Sequence, residues 1–429
     1  DGIRDKRGGL VGSEMCIRDS HGSVRIDVES QRIMAVGDLE PIAGETVYDI
    51  DGLAIAPGFI DAHSHHDLEL DQYRHMPGVL SQGVTTIVRG QDGFSVEGIG
   101  NGYISIVDFN KAFEADPAAV NFASFSPHNS IRAAVMGDDY RRHATEDEIA
   151  AMVELLEADM QAGALGMSTG LEYEPGIYSA RDEVLTLARV LETHGGRYTS
   201  HLRDEDDRVM DAIDELIDIG REVRIPVNIS HIKLADRELW GNTDSVLDVL
   251  DRARADGIEL TADLYPYQRW ASNLAILFPS RDYSRREDAE FTFAHTAIAE
   301  DILLLKFPAN PDFNGRTIAD VAVLTGRSPE DTLMNLAQTA DDHFRETGQE
   351  GSLIIAKGMS EEDIVAFMRW PHAVFCSDGW HGGHPRGYGS FPRVLGRYVR
   401  ELGVLTLPAA IHKMTGMTAA TLGLSLIHI

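Results

Sequence analysis

The sequence has few cysteines, few lysines and no long apolar run. Its 429 residues include two cysteines, which excludes a disulfide framework and a zinc module built from four cysteines. No segment approaches the roughly 18 consecutive apolar residues of a membrane span, and no apolar signal region opens the chain. Six of the 38 basic residues are lysines, so a lysine within an apolar strand is unusual in this chain.

The charge of the chain is strongly negative. Its 69 acidic residues outnumber the 38 basic ones and give a formal net charge of −31. A field of this sign repels nucleic acid and anionic lipid. Together with an ordinary apolar fraction of 43%, it predicts a globular cytoplasmic protein with a large core and with neither nucleic-acid nor membrane partners.

The two ends of the chain differ from the rest. Residues 1–20 show neither helical nor strand periodicity. These residues and the closing residues 425–429 resemble translated sequencing-adapter read-through, and natural disordered tails are the alternative. Neither end is expected to belong to the fold.

Residues 21–57 carry a short β pattern. Three brief alternating runs are separated by glycine, aspartate and proline, at Ser23–Asp27, Arg32–Val36 and Thr46–Ile50. Three short strands are too few for an independent sheet domain. We therefore predict that this segment is part of a small β-sandwich.

Residues 58–424 alternate between predicted strands and helices. The strand candidates are mainly apolar, as strands buried on both faces are, and the first seven begin 27 to 45 residues apart, which is typical of βα units. The eight candidates are Gly58–His63, Thr85–Gly90, Val120–Phe125, Leu165–Thr169, Arg197–Leu202, Val227–Ile232, Glu259–Leu264 and Ala373–Asp378. This pattern predicts an α/β fold, a (β/α)8 TIM-type barrel. A doubly wound sheet is the alternative, but no G-x-G-x-x-G follows the first strand.

Helix signals and one long interval complete the predicted barrel. Thr145–Glu148 has the pattern of a capping box, and residues 204–223 carry one broad apolar face. The eighth strand begins 114 residues after the seventh, and a connection of that length needs structure of its own. We predict an insertion over about residues 268–372, with helices near 316–325 and 329–338, at the catalytic end of the barrel.

Residue types that bind metals recur at the carboxyl ends of the predicted strands. His63 and His65 are two apart in an extended segment, so both imidazoles can face one ion. His201, His231 and Asp378 end the fifth, sixth and eighth strands. A single histidine at a strand end is more often structural, but five such residues at one end of a barrel predict a metal-dependent active site.

Nine motifs along the chain carry a family resemblance. Those of the barrel are Pro57–His65, Gly83–Thr86, Gly166–Tyr173, Thr199–Arg203, Ile229–Lys233, Asp263–Tyr267 and Ser377–Gly379. With them, the chain resembles the amidohydrolase superfamily over about residues 22–424. His384–Arg386 and Phe391–Arg400 are similar to motifs of one branch, the N-acyl-D-amino-acid deacylases, or D-aminoacylases.

The resemblance implies a zinc centre of one or two ions. His63, His65 and Asp378 would hold the outer position, and His201 and His231 the inner one. Enzymes of this family use a metal-bound hydroxide to attack an amide carbonyl. Asp378 would be the catalytic residue that accepts the proton of that water and delivers it to the leaving amine.

The resemblance also implies substrate-positioning residues and a domain organisation. The positioning residues would be Tyr173 and Lys233, with Tyr265, Tyr267, Arg203 and Arg386 as candidates for binding the substrate carboxylate. The family builds its β-sandwich from both ends of the chain. We therefore expect the chain as given to be incomplete, and we expect the apolar residues that would lie under the second half of the sandwich to be partly exposed. These residues are Ile33, Val36, Val47 and Ile50.

One position departs from the family pattern. D-aminoacylases place a cysteine ligand in a G-N-C-G loop after the second strand, whereas this chain has Gly90-Gln-Asp-Gly93. Asp92 at the same position, or Glu172 after the fourth strand, could replace the thiolate, and a carboxylate is a harder ligand. We expect Glu172 to lie at the metal because it directly follows a barrel strand, with Asp92 as a turn residue.

The predicted function is hydrolysis of the amide bond of N-acyl-D-amino acids, small-molecule substrates, with release of a carboxylate and a D-amino acid. Selectivity for the D enantiomer depends on the family resemblance alone. Two alternatives stay open. One is another amidohydrolase, such as a cyclic-amide hydrolase or a dipeptidase, and the other is a catalytically inactive scaffold.

Overall fold

The computed structural model describes residues 22–30, 32–94 and 103–424, with the side chain of residue 69 left aside. The two segments that resemble adapter sequence, 1–20 and 425–429, lie outside the described residues. The strands in chain order are β1 Ser23–Asp27, β2 Arg32–Gly37, β3 Phe59–Asp61, β4 Val84–Arg89, β5 Asn121–Ser124, β6 Ser126–Pro127, β7 Gly166–Gly170, β8 Arg197–His201, β9 Val227–Ile229, β10 Leu260–Leu264, β11 Arg269–Ser272, β12 Leu303–Lys306, β13 Leu353–Lys357 and β14 Ala373–Phe375.

The helices alternate with these strands. In chain order they are α1 Pro77–Leu80, α2 Ile106–Ala115, α3 His128–Met136, α4 Glu146–Gln161, α5 Arg181–His194, α6 Val209–Val223, α7 Thr243–Ala255, α8 Arg286–Phe291, α9 Ile318–Thr325, α10 Pro329–Thr347, α11 Glu361–Arg369, α12 Arg386–Arg393, α13 Leu407–Met414 and α14 Gly416–Thr421. Two π-helical segments, Thr292–Thr296 and Val394–Glu401, continue α8 and α12.

Eight parallel strands close into a barrel, and all eight overlap the predicted ones. They pair in the order β3-β4-β5 and then β6-β7-β8-β9-β10-β14, with β6 extending β5. The Leu165 amide joins the two groups by donating to the Ser124 carbonyl. The barrel closes where the Asp378 amide donates to the His63 carbonyl at 2.8 Å and the His65 amide to the Gly379 carbonyl at 2.9 Å. This closure brings the ends of the first and last barrel strands together.

Local signals set the helix boundaries. The capping box at Thr145 and Glu148 is confirmed, and α4 ends at Gln161, before Gly163. Helix α6 begins at Val209, five residues later than predicted, because Asp204 accepts hydrogen bonds from the Asp206 and Arg208 amides and forms a turn there. Its apolar face is buried against the barrel, as the periodicity predicts.

The long segment between β10 and β14 has structure of its own. Strands β11, β13 and β12 form an antiparallel sheet, and helices α8, α9 and α10 lie between β11 and β13 in the chain. Ile318–Thr325 begins two residues later than the first helix predicted there, and Pro329–Thr347 extends nine residues beyond the second. Several side chains of this segment line the cavity at the mouth of the barrel.

The N-terminal segment contains one hairpin. Strands β1 and β2 pair antiparallel, but the third predicted strand is wrong, because Thr46–Ile50 forms no strand. No other described segment pairs with it, so its alternating pattern has no ladder to join. Ile33, Val36 and Val47 are each more than half exposed, and Ile50 is half-buried.

Among the described helices, none is long and apolar enough to cross a membrane.

Replacement of Thr145 by alanine tests the helix signal that the sequence predicted. The Thr145 side chain accepts from the Glu148 amide at 3.3 Å, and Glu148 accepts from the Thr145 amide at 2.7 Å. We expect Thr145→Ala to lower the free energy of unfolding by about 1 kcal/mol, because α4 loses its cap. Thr145→Ser keeps the oxygen and should stay near the parent value in chemical denaturation. Equal losses in the two variants would contradict the capping role.

Candidate metal centre

The five side chains predicted to bind a metal meet at the carboxyl end of the barrel. Barrel strand β3 leads into His63 and His65, β8 ends at His201, and β9 and β14 lead into His231 and Asp378. All five are buried or nearly so. They form two neighbouring groups of donor atoms, and a sixth side chain, Asp92, belongs to both. A third group joins His201 to Glu172 and Glu205.

The first group contains His63, His65, Asp92 and Asp378. The Nε2 atoms of His63 and His65 are 3.3 Å apart, and each lies 3.2 Å from Asp92 Oδ2. Asp378 Oδ1 lies 3.7 Å from His63 Nε2 and 3.4 Å from His65 Nε2. Two imidazoles and two carboxylates therefore surround one point.

The second group contains His201, His231 and the other oxygen of Asp92. His201 Nδ1 lies 3.0 Å from His231 Nε2, which is 3.4 Å from Asp92 Oδ1. The two carboxylate oxygens of Asp92 thus face two different pairs of histidines. Asp92 is 4% exposed, so water screens these contacts only weakly.

The donor atoms fit a divalent cation. Asp92 Oδ1 is buried without a hydrogen-bond partner in the described part of the chain, and the imidazole nitrogens face one another and carboxylate oxygens. Lone pairs that converge in a buried site repel unless a positive charge lies between them. Imidazole nitrogen and carboxylate oxygen are ligands that zinc accepts.

The pKa values of the centre reflect its charges. Burial acts to raise the pKa of Asp92, but the nearby His63 and His231 outweigh it and hold this pKa well below the usual value. Burial acts in the same way on Asp378, where the Arg386 guanidinium and His231 keep the pKa low. Burial alone lowers the pKa of His65, yet hydrogen bonds to Asp378 and Asp92 raise it to about 10. Both carboxylates are therefore ionised acceptors.

The expectation that Asp92 is only a turn residue is corrected by this geometry, whereas metal binding by Glu172 stays a prediction, because Glu172 forms a group of donor atoms with His201 and Glu205. Asp92 lies between the histidine pairs, whereas Glu172 Oε2 contacts the far nitrogen of His201, Nε2, at 2.8 Å. Asp92 reaches the centre because its turn folds over the barrel mouth. Gly93 donates from its amide to Ser168 Oγ at 3.1 Å, and Ser168 Oγ donates to the Gly90 carbonyl.

The backbone is strained at three of these residues. Asp92, His231 and Asp378 have φ values of 52°, 35° and 48°, a left-handed region that non-glycine residues seldom adopt. Such conformations persist where surrounding contacts enforce them, and they cluster at functional sites. Asp263 supplies one such contact, since its Oδ1 accepts from the His231 amide at 2.8 Å.

Four of the six predicted substrate-positioning residues line the cavity next to the donor groups. The cavity has a volume of about 540 Å³. The four residues are Tyr173, Lys233, Tyr265 and Arg386. The Tyr173 ring packs on His201 with centroids 4.4 Å apart, and the Arg386 guanidinium lies 4.7 Å from the Tyr265 ring. The Tyr265 hydroxyl is buried without a partner among the described residues.

The two other candidates, Arg203 and Tyr267, are not among the residues that line this cavity. Arg203 makes two hydrogen bonds of 2.8 Å to Glu215 and a third to the Ser179 carbonyl. Tyr267 packs under Arg393 and is not among the cavity residues. Arg203 is held by Glu215 and Tyr267 packs against Arg393, and the sequence motifs do not reveal these partners.

Comparison with known proteins shows the family to which this chain belongs. A model of the amidohydrolase family matches residues 46–312. The D-aminoacylase of Alcaligenes xylosoxydans xylosoxydans is 35% identical over 419 residues, which cover 93% of this chain and 80% of that protein. The chain belongs to the amidohydrolase family, in its D-aminoacylase branch.

Solved structures of this branch share the fold. A crystal structure of D-aminoacylase superposes with a TM-score of 0.82 at 33% identity and covers 96% of this chain and 83% of that one. The N-acyl-D-glutamate deacylase of Bordetella bronchiseptica, solved with zinc and a phosphonate inhibitor, has a TM-score of 0.79 at 31% identity, covering 91% and 80%. The predicted TIM-type barrel is thereby confirmed.

Sequence reasoning missed one buried carboxylate of this amidohydrolase. Glu205 lines the cavity and contacts both His231 and Lys233. It lies four residues after His201, in the run Asp204-Glu-Asp-Asp207. Its position directly after a strand that ends in a ligand-type histidine was the available signal. Because the chain has 69 acidic residues, an acidic run is by itself weak evidence for a functional site.

A pair of glycine variants tests the turn that holds Asp92. Gly93 and Gly195 both have left-handed φ, at 76° and 64°, but only at Gly93 would a Cβ collide with a neighbour, the Asn129 side chain. We expect Gly195→Ala to cost about 1 kcal/mol of unfolding free energy. Gly93→Ala should cost more and also lower the bound metal per chain, measured by elemental analysis. Equal metal content in the two variants would contradict the role of the turn.

Proposed function

We propose that this chain is a metal-dependent hydrolase that cleaves the amide bond of N-acyl-D-amino acids and releases a carboxylate and a D-amino acid. The observation that carries the proposal is the Asp92 carboxylate between two histidine pairs at the carboxyl end of a barrel. The similarity to D-aminoacylase and to N-acyl-D-glutamate deacylase supports the substrate class.

The centre would hold one or two zinc ions. His63, His65 and Asp378 would hold the first, and His201 and His231 the second, with one oxygen of Asp92 towards each. An ion held by these residues would lower the pKa of a bound water and polarise the carbonyl of the scissile amide. Glu172 would act from outside the ligand set, by accepting the Nε2 hydrogen of His201.

Asp378 would move the proton. Its low pKa makes it an acceptor at neutral pH, and Arg386 Nη1 fixes its Oδ2 at 2.6 Å. The other oxygen, Oδ1, faces the histidines at the metal position, where it would take a proton from the attacking water and pass it to the leaving amine. The same residue would thus serve first as base and then as acid.

The cavity would orient the substrate. Lys233, Arg386 and the unpartnered Tyr265 hydroxyl offer cationic and hydrogen-bonding groups for a substrate carboxylate. Apolar residues of the segment after β10 form much of the remaining wall, which suits an acyl group or a side chain. These residues are Trp270, Ile276, Leu277, Phe344 and Leu353.

We also infer three structural units. Residues 22–57 would be part of a β-sandwich, because their hairpin exposes apolar side chains. Residues 58–424 would form the catalytic barrel. Within it, residues 268–372 would be an inserted subdomain that covers the cavity, because Trp270, Phe344 and Leu353 line it.

Elemental analysis and a substrate screen together test the function. We expect one or two zinc ions per chain and turnover of N-acetyl-D-amino acids over their L enantiomers, lost after treatment with a chelator and restored by zinc. Asp378→Asn should lower kcat by about 10²- to 10⁴-fold while metal stays bound, because the proton acceptor is removed.

Two results would refute this function. One is a metal-loaded protein without activity on any N-acyl-D-amino acid but with activity on cyclic amides or dipeptides. The other is full activity of the Asp378→Asn variant, which would exclude its part in proton transfer.

Two tyrosine variants test how the substrate carboxylate is bound. Tyr265→Phe should raise KM about tenfold with a smaller change in kcat, because a buried hydroxyl aimed at the substrate is lost. Tyr267→Phe is the matched control, since this side chain lies outside the cavity. Steady-state kinetics on N-acetyl-D-leucine measure both. Equal KM values for the two variants would remove Tyr265 from the binding site.

A further inference from the structure

Glu205 connects the candidate metal centre with a cation of the cavity. It is 7% exposed and follows β8. Its Oε1 lies 3.2 Å from His231 Nδ1, and its two oxygens accept hydrogen bonds from Lys233 Nζ at 2.6 and 2.7 Å. One buried carboxylate thus contacts a ligand candidate and a substrate-positioning candidate.

The orientation of the His231 ring determines which of its two nitrogens Glu205 can contact. Nε2 faces His201 Nδ1 at 3.0 Å and Asp92 Oδ1 at 3.4 Å, so it is the nitrogen directed at the ion. A neutral imidazole that binds an ion through Nε2 carries its hydrogen on Nδ1. The Lys233 ammonium lies 2.7 Å from Nδ1 and Glu205 Oε1 lies 3.2 Å from it. Because an ammonium can only donate, Glu205 Oε1 is the acceptor for a hydrogen on Nδ1, and the Lys233 N–H then has to turn away from the ring.

The ammonium of Lys233 needs the same carboxylate. Lys233 is 5% exposed, and a buried cation without an anionic partner is strongly unfavourable. No other carboxylate lies within 4 Å of its Nζ among the described residues. Glu205 therefore fixes the ammonium next to the cavity through two N–H groups. The third N–H faces His231 Nδ1 at 2.7 Å and becomes available to a ligand when Nδ1 carries its own hydrogen.

We propose that Glu205 is a positioning residue with two separable tasks. It accepts the Nδ1 hydrogen of His231, which keeps Nε2 available to the ion, and it holds the Lys233 ammonium in place for the substrate carboxylate. The proposal rests on the metal centre of the proposed function. It adds the residue that orients a ligand and a substrate-binding group together.

Two substitutions separate the tasks. Glu205→Gln keeps an oxygen that can accept from His231 but loses the charge that holds Lys233. Glu205→Ala removes both. The matched control is Glu183→Gln, because Glu183 is also buried between a histidine and an arginine, with His128 Nε2 at 2.9 Å and Arg132 Nε at 3.7 Å, but lies outside the cavity.

Zinc affinity, measured by competition with a chelating dye, reports the first task. We expect Glu205→Ala to weaken zinc binding about 10- to 100-fold, and we expect Glu205→Gln to stay within a few fold of the parent. Glu183→Gln should lower the melting temperature and leave zinc affinity unchanged. This readout needs no substrate, so it tests Glu205 even if the proposed hydrolysis fails.

Kinetics report the second task. On N-acetyl-D-leucine, Glu205→Gln should raise KM about tenfold or more with a smaller effect on kcat, because one charge-assisted contact is lost. On the corresponding carboxamide the same variant should change KM little, since no carboxylate reaches Lys233.

The proposal is overturned by either of two results. One is parent-like zinc affinity in a folded Glu205→Ala variant. The other is a KM increase in Glu205→Gln that is equal for the carboxylate and the carboxamide. A loss of melting temperature without these changes would leave Glu205 a structural residue and would also reject the proposal.

Discussion

A carboxylate between two pairs of histidines is the constraint on which the rest of the site depends. Asp92 directs one oxygen to His63 and His65 and the other towards His231. All of these groups present lone pairs to a buried space, where repulsion is weakly screened. A divalent cation turns that repulsion into attraction. The barrel, the turn after β4 and the outer carboxylates all act to keep these atoms converged.

Convergence requires backbone conformations that the residues themselves disfavour. Asp92, His231 and Asp378 adopt left-handed φ, at a cost of order 1 kcal/mol or more each. Hydrogen bonds from the barrel offset this cost. Asp263 accepts from the His231 amide, and the Asp378 amide donates to the His63 carbonyl. The hydrogen bonds that close the barrel therefore also fix the geometry of the site.

Sequence reasoning predicted the parts that depend on local pattern. All eight barrel strands were predicted because strands buried on both faces read as apolar runs at a regular spacing. The histidines and Asp378 were found because a barrel gathers its strand ends. The place of Asp92 at the centre was missed because it depends on the left-handed Gly90 and Gly93 and on Ser168, 76 positions away in the chain.

Other side chains could not be placed for a related reason. The partners of Arg203 and Tyr267, which are Glu215 and Arg393, are specified only by the packed structure. The run at Thr46–Ile50 had a strand pattern but no strand beside it. A sequence pattern predicts a strand or a helix, but contacts with other parts of the fold decide whether it forms and what its side chains bind. The same limit hid Glu205, whose two neighbours lie on the following strand end.

The charges around the cavity are also consistent with a bound cation. Six carboxylates line it, Asp92, Glu172, Glu205, Asp206, Glu350 and Asp378, against the cations Lys233, Lys306 and Arg386. Burial raises the pKa of Asp206 well above its usual value, and its acidic neighbours raise it further. The carboxylates of this cavity outnumber its lysine and arginine side chains by three, an excess that a bound cation would offset. A cavity neutralised in this way admits an anionic substrate next to Lys233, whereas an excess of carboxylates would repel it.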